Sequence, residues 1–193
     1  MNKEELEALK KRIEQENIPL KETATNLVFG KGNPEAKILF IGEAPGRNED
    51  LEGQPFVGAA GKQLDKLLNS IGLSIEDVYI ANILKYRPPQ NRNPNPEEIK
   101  AHTPFLVEQI KIIQPKIICT LGNYATKFVL ANFDAEGMKK IGGITFLHGK
   151  PVEKEINGLK FKVMPLYHPA AILYKPQLRI ALEEDFQKIK ELL

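Results

Sequence analysis

Three residues of this sequence have side chains suited to holding a small planar ring, and each lies in a largely apolar stretch. His168 lies in PLYHPAAIL, where the ring of Pro169 restricts the histidine to extended backbone geometry, which can aim an imidazole donor into a cleft. Asn82 is an amide inside the apolar run YIANIL, and the donor and acceptor of a buried amide can read a pyrimidine edge. Phe56 can stack on a base. These residue types favour hydrogen bonding and stacking around a heterocycle.

Each of these side chains also has an ordinary structural explanation. A histidine beside a strand is commonly structural, a strand amide can bond to neighbouring backbone, and a phenylalanine among apolar residues can belong to the core. The functional interpretation therefore depends on whether the three residues converge at one place.

Irregular loops follow three apolar runs, at the strand ends where ligands bind in open parallel sheets. The loops are GEAPG after the first run, NILKYRPPQNRNPNP after the second and YHPAAIL after the last. In the first loop, Gly42 and Gly46 permit backbone angles closed to other residues and Pro45 ends strand pairing, so a small flat group can approach the main chain. The alternative is that proline and glycine only form turns.

The elements that hold these loops are predicted by apolar periodicity. Strands are expected at 38–42, 77–84 and 115–122, and Asn157-Gly158 predicts a hairpin between two alternating runs. Helices are expected over 58–73, from near Pro96, over 123–133 and over 177–193, with an amphipathic helix at about 2–16. Strands that alternate with helices predict an α/β fold with a parallel sheet covered on both faces, and residues 1–193 are expected to form one domain.

Composition limits the classes of protein to consider. The net charge of +2 permits a nucleic-acid partner without requiring one, so any binding surface must be local. The single Cys119 cannot form an internal disulfide or a cysteine-ligated cluster. Because the charged N-terminus lacks a signal sequence and no apolar run is long enough to span a membrane, we expect a soluble cytoplasmic protein without membrane association. Glycine spacing excludes a P-loop, and GxGxxG is absent.

Three segments together closely resemble the uracil-DNA glycosylase superfamily, specifically its thermostable family-four enzymes. The segments are GEAPGRNEDLEGQPFVGAAGKQLDKLL, VYIANILKYRPPQNRNPNPEE and HPAAIL, and the resemblance runs from about Leu27 to the C-terminal helix. It implies a three-layer α/β/α sandwich with a central four-stranded parallel sheet. It also implies an enzyme that hydrolyses the bond between uracil and deoxyribose in DNA, leaving an abasic site for base excision repair. We expect it to act as a monomer.

The resemblance implies roles for individual residues. Glu43 matches the carboxylate that orients water and offsets positive charge on C1′, and His168 matches the histidine that donates to uracil O2 as the base leaves, so these two are the expected catalytic residues. Phe56 matches the residue that stacks on the everted base. Asn82 matches the amide that pairs with its N3 and O4 edge, and Glu49 matches the acid that excludes the thymine methyl. Two residues of the first loop complete the expected uracil-binding set: Gly42 and Ala44.

Contacts with the DNA strands are expected from two further places. A proline-rich loop carries cations that could touch phosphates, namely Lys85, Arg87 and Arg92. Ile172 or Leu173, shortly after the histidine, could wedge into the gap left by the everted nucleotide. The alternative for the three cations is a solvated basic loop.

The sequence departs from the family at the iron–sulfur cluster, which family-four enzymes usually hold through four cysteines. Other residue types occupy the matching positions: Gln15, Ile18, Tyr86 and His102. Thiolate ligation is impossible there, so we expect no metal and no cofactor. Our hypothesis is that packing by Ile18 and Tyr86, with hydrogen bonds from His102, ties the N-terminal segment to the loop after Asn82 in place of the cluster.

Two other functions remain open from sequence alone. One is a glycosylase for another deaminated base such as hypoxanthine, because the width of the pocket around Glu49 cannot be measured in a sequence. The other is a noncatalytic binder of damaged DNA. The presence of both Glu43 and His168 argues against the binder, since binding alone requires neither.

Overall fold

A six-stranded sheet forms the centre of the computed structural model, which describes residues 1–193. The strands in chain order are β1 Lys31–Gly32, β2 Ile38–Gly42, β3 Val78–Asn82, β4 Ile117–Leu121, β5 Val152–Ile156 and β6 Leu159–Leu166. Their spatial order is β1-β3-β2-β4-β6-β5. The four central strands are parallel, and β1 and β5 pair antiparallel at the two sides. The predicted four-stranded parallel sheet is confirmed, and the two antiparallel strands extend it.

Eight α-helices accompany the sheet. They are α1 Asn2–Gln15, α2 Arg47–Glu52, α3 Ala59–Ser70, α4 Pro96–Ile113, α5 Asn123–Leu130, α6 Ile144–Leu147, α7 Ala171–Tyr174 and α8 Leu178–Leu192. Helices α1, α4 and α5 pack in one buried apolar cluster, and α3 and α8 pack in another. Along β2, Ile38 and Phe40 belong to the second cluster and Leu39 and Ile41 to the first, so the clusters lie on opposite faces of the sheet. This is the expected α/β/α sandwich. No helix combines the length and the apolar character that crossing a membrane requires.

Two local signals explain where elements begin and turn. Helix α4 starts at the expected Pro96, because the Asn95 side chain accepts from the N–H of Glu98 while the Glu98 carboxylate accepts from the N–H of Asn95. The hairpin between β5 and β6 turns at Asn157 and Gly158, whose φ angles of 49° and 82° suit a tight two-residue turn. Both features were predicted from sequence.

The register of the parallel strands brings the irregular loops together. β2, β3 and β4 are buried at every position, as a sheet covered on both faces requires. Gly42 pairs with Asn82, and each is the last residue of its strand. We call the edge at which β2, β3, β4 and β6 end the carboxyl edge of the sheet. The loops after these strands therefore begin side by side.

Candidate active site

One cavity at the carboxyl edge collects residues from all three loops. Its volume is about 210 Å³, and seven residues line it: Ala44, Gly46, Glu49, Phe56, Ala60, Asn82 and His168. The lining residues come from the segment after β2, the last residue of β3 and the segment after β6, which are widely separated along the chain. The convergence on which the functional interpretation depends is therefore present in the structure.

His168 is held as a neutral hydrogen-bond donor. Its Nδ1 accepts the backbone N–H of Ala170 at 3.1 Å, so the proton of the neutral ring is on Nε2. Burial lowers the pKa of His168 to about 4, and the nearby Glu49 opposes this only in part. Gly122, with φ of 89° at the end of β4, leaves room for the ring, because a Cβ there would lie 3.2 Å from the His168 Cβ. At neutral pH the site has an uncharged N–H donor.

Phe56 forms a wall of the cavity in a constrained backbone conformation. Its ring centroid lies 5.7 Å from that of His168, with 26° between the ring planes. Its φ of 52° is in the left-handed region, which costs free energy for a residue with a side chain. Lys31 Nζ donates to the Phe56 carbonyl at 3.1 Å, and Gly61 of α3 packs so closely on that carbonyl that a Cβ there would overlap it. Neither Lys31 nor Gly61 was predicted, and a glycine in the first turn of a helix was the only available signal.

Asn82 occupies the cavity because Gly42 has no side chain. A Cβ at Gly42 would overlap Asn82 Oδ1 and would lie 2.9 Å from the Phe56 ring. The Asn82 side chain is almost fully buried, so its amide is available only to a group that enters the cavity. Because Gly42 has no side chain, Asn82 and Phe56 both pack close to its backbone. Gly42 therefore helps to set the positions of these two proposed recognition residues.

Lys85 bonds to the backbone of Asn82 inside the protein and does not lie at the surface where DNA would bind. Its side chain is fully buried, and Nζ donates to the Asn82 carbonyl at 2.9 Å and to Gln109 Oε1 at 2.5 Å. Gln109 in turn donates to the Phe29 carbonyl at 2.9 Å. Burial lowers the pKa of Lys85 to about 7. The prediction that Lys85 touches phosphate is wrong for this structure, because an ammonium group without exposed surface cannot reach a DNA strand.

Two carboxylates lie at or beside the cavity. Glu49, in the first turn of α2, lines the cavity and accepts the backbone N–H of Gly58 at 3.3 Å. Glu43 directly follows β2 and is partly buried, and burial raises the pKa of its carboxyl group. Glu43 directly precedes the lining residue Ala44, and neither Glu43 nor Gly42 lines the cavity.

The other residues expected to contact DNA differ in their availability. Arg92 makes two hydrogen bonds to Glu98, at 2.9 and 2.5 Å, and Arg87 Nε donates to Asn91 Oδ1 at 2.7 Å. Ile172 is 3% exposed and packs in the core, so its predicted role as a wedge is wrong. Leu173 is 46% exposed and keeps that role as a prediction. Although both residues lie in the single turn of α7, the side chain of Ile172 is buried in the core and that of Leu173 is exposed at the surface.

The positions that match cluster ligands do not fit an iron–sulfur cluster. His102 has no free nitrogen, because Nδ1 accepts the Lys85 N–H at 2.9 Å and Nε2 lies 2.9 Å from the Pro19 carbonyl, to which it donates. Tyr86 packs edge-on against His102, with ring centroids 6.3 Å apart, and Ile18 is buried in the same cluster. No group of three or more His, Cys, Asp and Glu side chains could hold a metal ion. The contacts that the hypothesis requires between the N-terminal segment and the loop after β3 are present.

Comparison with known proteins agrees with this fold. Residues 29–193 match the family model described as the uracil DNA glycosylase superfamily, and the chain belongs to that superfamily.

Within it, the chain is similar to several type-4 uracil-DNA glycosylases. The enzyme of Archaeoglobus fulgidus is 53% identical over 173 residues, which cover 90% of this chain and 85% of the relative. The enzyme of Saccharolobus solfataricus is 52% identical over 169 residues, covering 87% and 76%. The enzyme of Thermotoga maritima is 42% identical over 177 residues, covering 91% and 87%.

Proposed function

We propose that this protein is a DNA repair glycosylase that hydrolyses the N-glycosidic bond of uracil in DNA, releases free uracil and leaves an abasic site. The observation that carries the proposal is the meeting of Phe56, Asn82 and His168 in one cavity at the carboxyl edge. A stacking surface, an amide and an imidazole donor are the three groups that bind a pyrimidine face, edge and carbonyl. The type-4 relatives are named for the same activity.

In the reaction, the uracil nucleotide leaves the helix and its base enters the cavity, at a cost of a few kcal/mol that is smaller at a mispair. Phe56 stacks on the base and Asn82 hydrogen-bonds to its N3 and O4 edge. Glu49 lies near C5 and excludes the methyl group of thymine. The backbone at Ala44 closes the remaining side, and Gly42 packs against Asn82 and Phe56 and keeps both in position.

Bond cleavage requires stabilisation of opposite charges on the base and the sugar. As the bond between C1′ and N1 breaks, negative charge grows on the uracil, and the Nε2–H of His168 donates to O2. A preorganised donor of this kind contributes several kcal/mol, and a neutral donor needs no prior proton uptake. Glu43 orients the water that adds to C1′ and offsets the positive charge there. The products are uracil and an abasic deoxyribose.

A cleavage assay tests the proposal against its alternatives. Duplexes with U:G, U:A, hypoxanthine or T:G, and single strands with uracil, are incubated with the protein and then treated with alkali, which breaks abasic sites. Cleavage only at uracil is expected. Cleavage mainly at hypoxanthine would show a different base preference, and intact but retarded DNA would show a noncatalytic binder.

Two finer statements belong to the same proposal. We propose that the protein acts as a monomer, because the cavity that holds Phe56, Asn82 and His168 needs no residue of a second copy. We also propose a cytoplasmic location. Sedimentation of the protein at micromolar concentration tests the first statement.

A further inference from the structure

The cations first assigned to DNA are mostly engaged within the protein. Lys85 is buried against Asn82, and Arg92 is paired with Glu98. Proteins gain most of their nonspecific affinity for DNA from Lys and Arg side chains that neutralise phosphates. Cations elsewhere at the carboxyl edge are therefore candidates for further phosphate contacts.

Residues 139–150, which we call the rim segment, lie beside the cavity and are anchored on both sides of His168. In the middle of the segment, the Ile144 N–H donates to Asn123 Oδ1 at 2.8 Å, and Asn123 follows Gly122, which packs on His168. Near its C-terminal end, the ring of His148 lies 4.5 Å from that of Tyr167, the residue before His168.

A second set of contacts ties the end of the rim segment to α8. His148 Nδ1 bonds to the buried Asp185 at 2.7 Å, and the N–H of Gly149 donates to the Pro165 carbonyl at 2.8 Å. Lys188 Nζ reaches the Gly149 carbonyl at 3.3 Å. The rim segment is therefore a fixed part of the cavity surroundings.

Apart from Thr145, the exposed side chains of the rim segment are cationic or aromatic. Lys139, Lys140 and Lys150 are exposed, and residues 137–152 contain no acidic side chain. Phe146, on the short helix α6, is 74% exposed although the segment around it is anchored. Lys139 also lines a groove with Pro94 and Asn123, so the surface continues to the proline-rich loop.

We propose that the rim segment is a second DNA-binding surface of this enzyme, in which Lys139, Lys140 and Lys150 contact phosphates and Phe146 packs on a nucleotide exposed when the duplex opens. The inference rests on the proposed function, because it takes uracil-containing duplex DNA as the occupant. Charge complementarity and the contacts that the rim segment makes with residues next to His168 support this choice. Aromatic side chains commonly stack on unpaired bases at such surfaces.

The charge contribution is tested by two matched triple variants. Lys139→Gln/Lys140→Gln/Lys150→Gln removes the rim cations, and Lys37→Gln/Lys116→Gln/Lys160→Gln removes three exposed lysines at the opposite edge of the sheet. Affinity for a duplex with uncleavable 2′-fluorodeoxyuridine is measured against salt concentration. The slope of log K against log salt should fall by about 0.9 per lost contact, so by roughly 2.7 in the rim variant and little in the control. Equal slopes in the two variants would overturn the proposal.

The aromatic contribution is tested by Phe146→Ala, with Phe146→Tyr and Val152→Ala as controls. Val152 is an exposed apolar residue just outside the segment. The alanine variant should lose about 5- to 100-fold in kcat/KM on U:A duplex, while both controls stay near wild type. An unchanged Phe146→Ala enzyme would refute the role of Phe146. Failure of wild-type protein to release uracil would refute the proposed function instead, so the two failures are distinguishable.

Discussion

The backbone N–H of Ala170 donates to Nδ1 of His168 across 3.1 Å, and this contact decides which ring nitrogen carries the proton. A protonated ring would present an N–H at Nδ1 and lose the contact. The chain itself thus selects the tautomer that proposed catalysis needs.

Removal of this imidazole should abolish most of the activity without unfolding the protein. We expect His168→Ala to reduce kcat by about 10²- to 10³-fold, the usual cost of one lost donor at a developing anion. Thermal unfolding should change little, since the ring lies at a cavity. Single-turnover cleavage of U:G duplex measures the effect, and an unimpaired variant would remove His168 from the mechanism.

The pH profile should show no loss from His168 in the neutral range. With a pKa of about 4, the ring is neutral at pH 6 to 8, and its Nε2–H donor is present throughout. Activity should therefore fall on the acidic side only near pH 4 through this group. A bell-shaped profile with an acidic limb near 6.5 that disappears in His168→Gln would contradict a neutral donor.

Buried Lys85 should make the protein more stable as the pH rises above 7. Its pKa is about 7 in the folded chain and 10.5 in the unfolded chain, so the unfolded chain binds more protons between these values and stability increases with pH. Between pH 7 and 9.5, the free energy of unfolding of the wild type should increase by on the order of 3 kcal/mol relative to that of Lys85→Met. Urea unfolding of both proteins at the two pH values measures this difference. An equal change in the free energy of unfolding of both proteins would contradict the prediction.

A methyl group at position 42 should disturb recognition. In Gly42→Ala the new Cβ overlaps Asn82 Oδ1, so the amide must move out of its present position. We expect KM for uracil-containing DNA to rise and kcat to fall, by at least tenfold together in kcat/KM, because a misplaced donor loses about 1.4 kcal/mol or more. Circular dichroism checks the fold of the variant. Activity equal to wild type would mean that Asn82 has another acceptable position.

His102 should connect the N-terminal segment to the rest of the protein. His102→Ala leaves the Lys85 N–H and the Pro19 carbonyl without their partner, at a cost of about 1–3 kcal/mol for the buried N–H and less for the carbonyl, which water can reach. Amide hydrogen exchange should become faster in residues 16–24 through local opening of this segment. Exchange in β4, which requires global unfolding, should change much less. Uniform acceleration would indicate a general loss of stability. Stoichiometric iron in untagged wild-type protein would contradict the hypothesis that these contacts stand in for a cluster.

The parallel sheet and the cavity could be predicted because the apolar runs are unambiguous and loops at parallel strand ends share one edge. Gly42 and Asn82 illustrate this, since both end strands that pair in register. Lys85 shows the limit. It lies in a loop that appears basic and exposed, and its partner Gln109 is 24 residues away, so the burial of its ammonium group exists only in the folded chain.

Adjacent residues with similar chemistry also could not be distinguished in advance. Ile172 and Leu173 are equally apolar, and only the direction of one helical turn places the first in the core and the second at the surface. Lys31 was missed because its contact is with a carbonyl, and a carbonyl group leaves no signature in residue types.

Cys119, the one thiol of the chain, lies fully buried in β4, where burial raises its pKa. A thiol kept protonated and away from solvent reacts slowly with peroxide. A protein whose single thiol is shielded in this way offers peroxide no exposed cysteine to oxidise, so its activity should persist when peroxide is present.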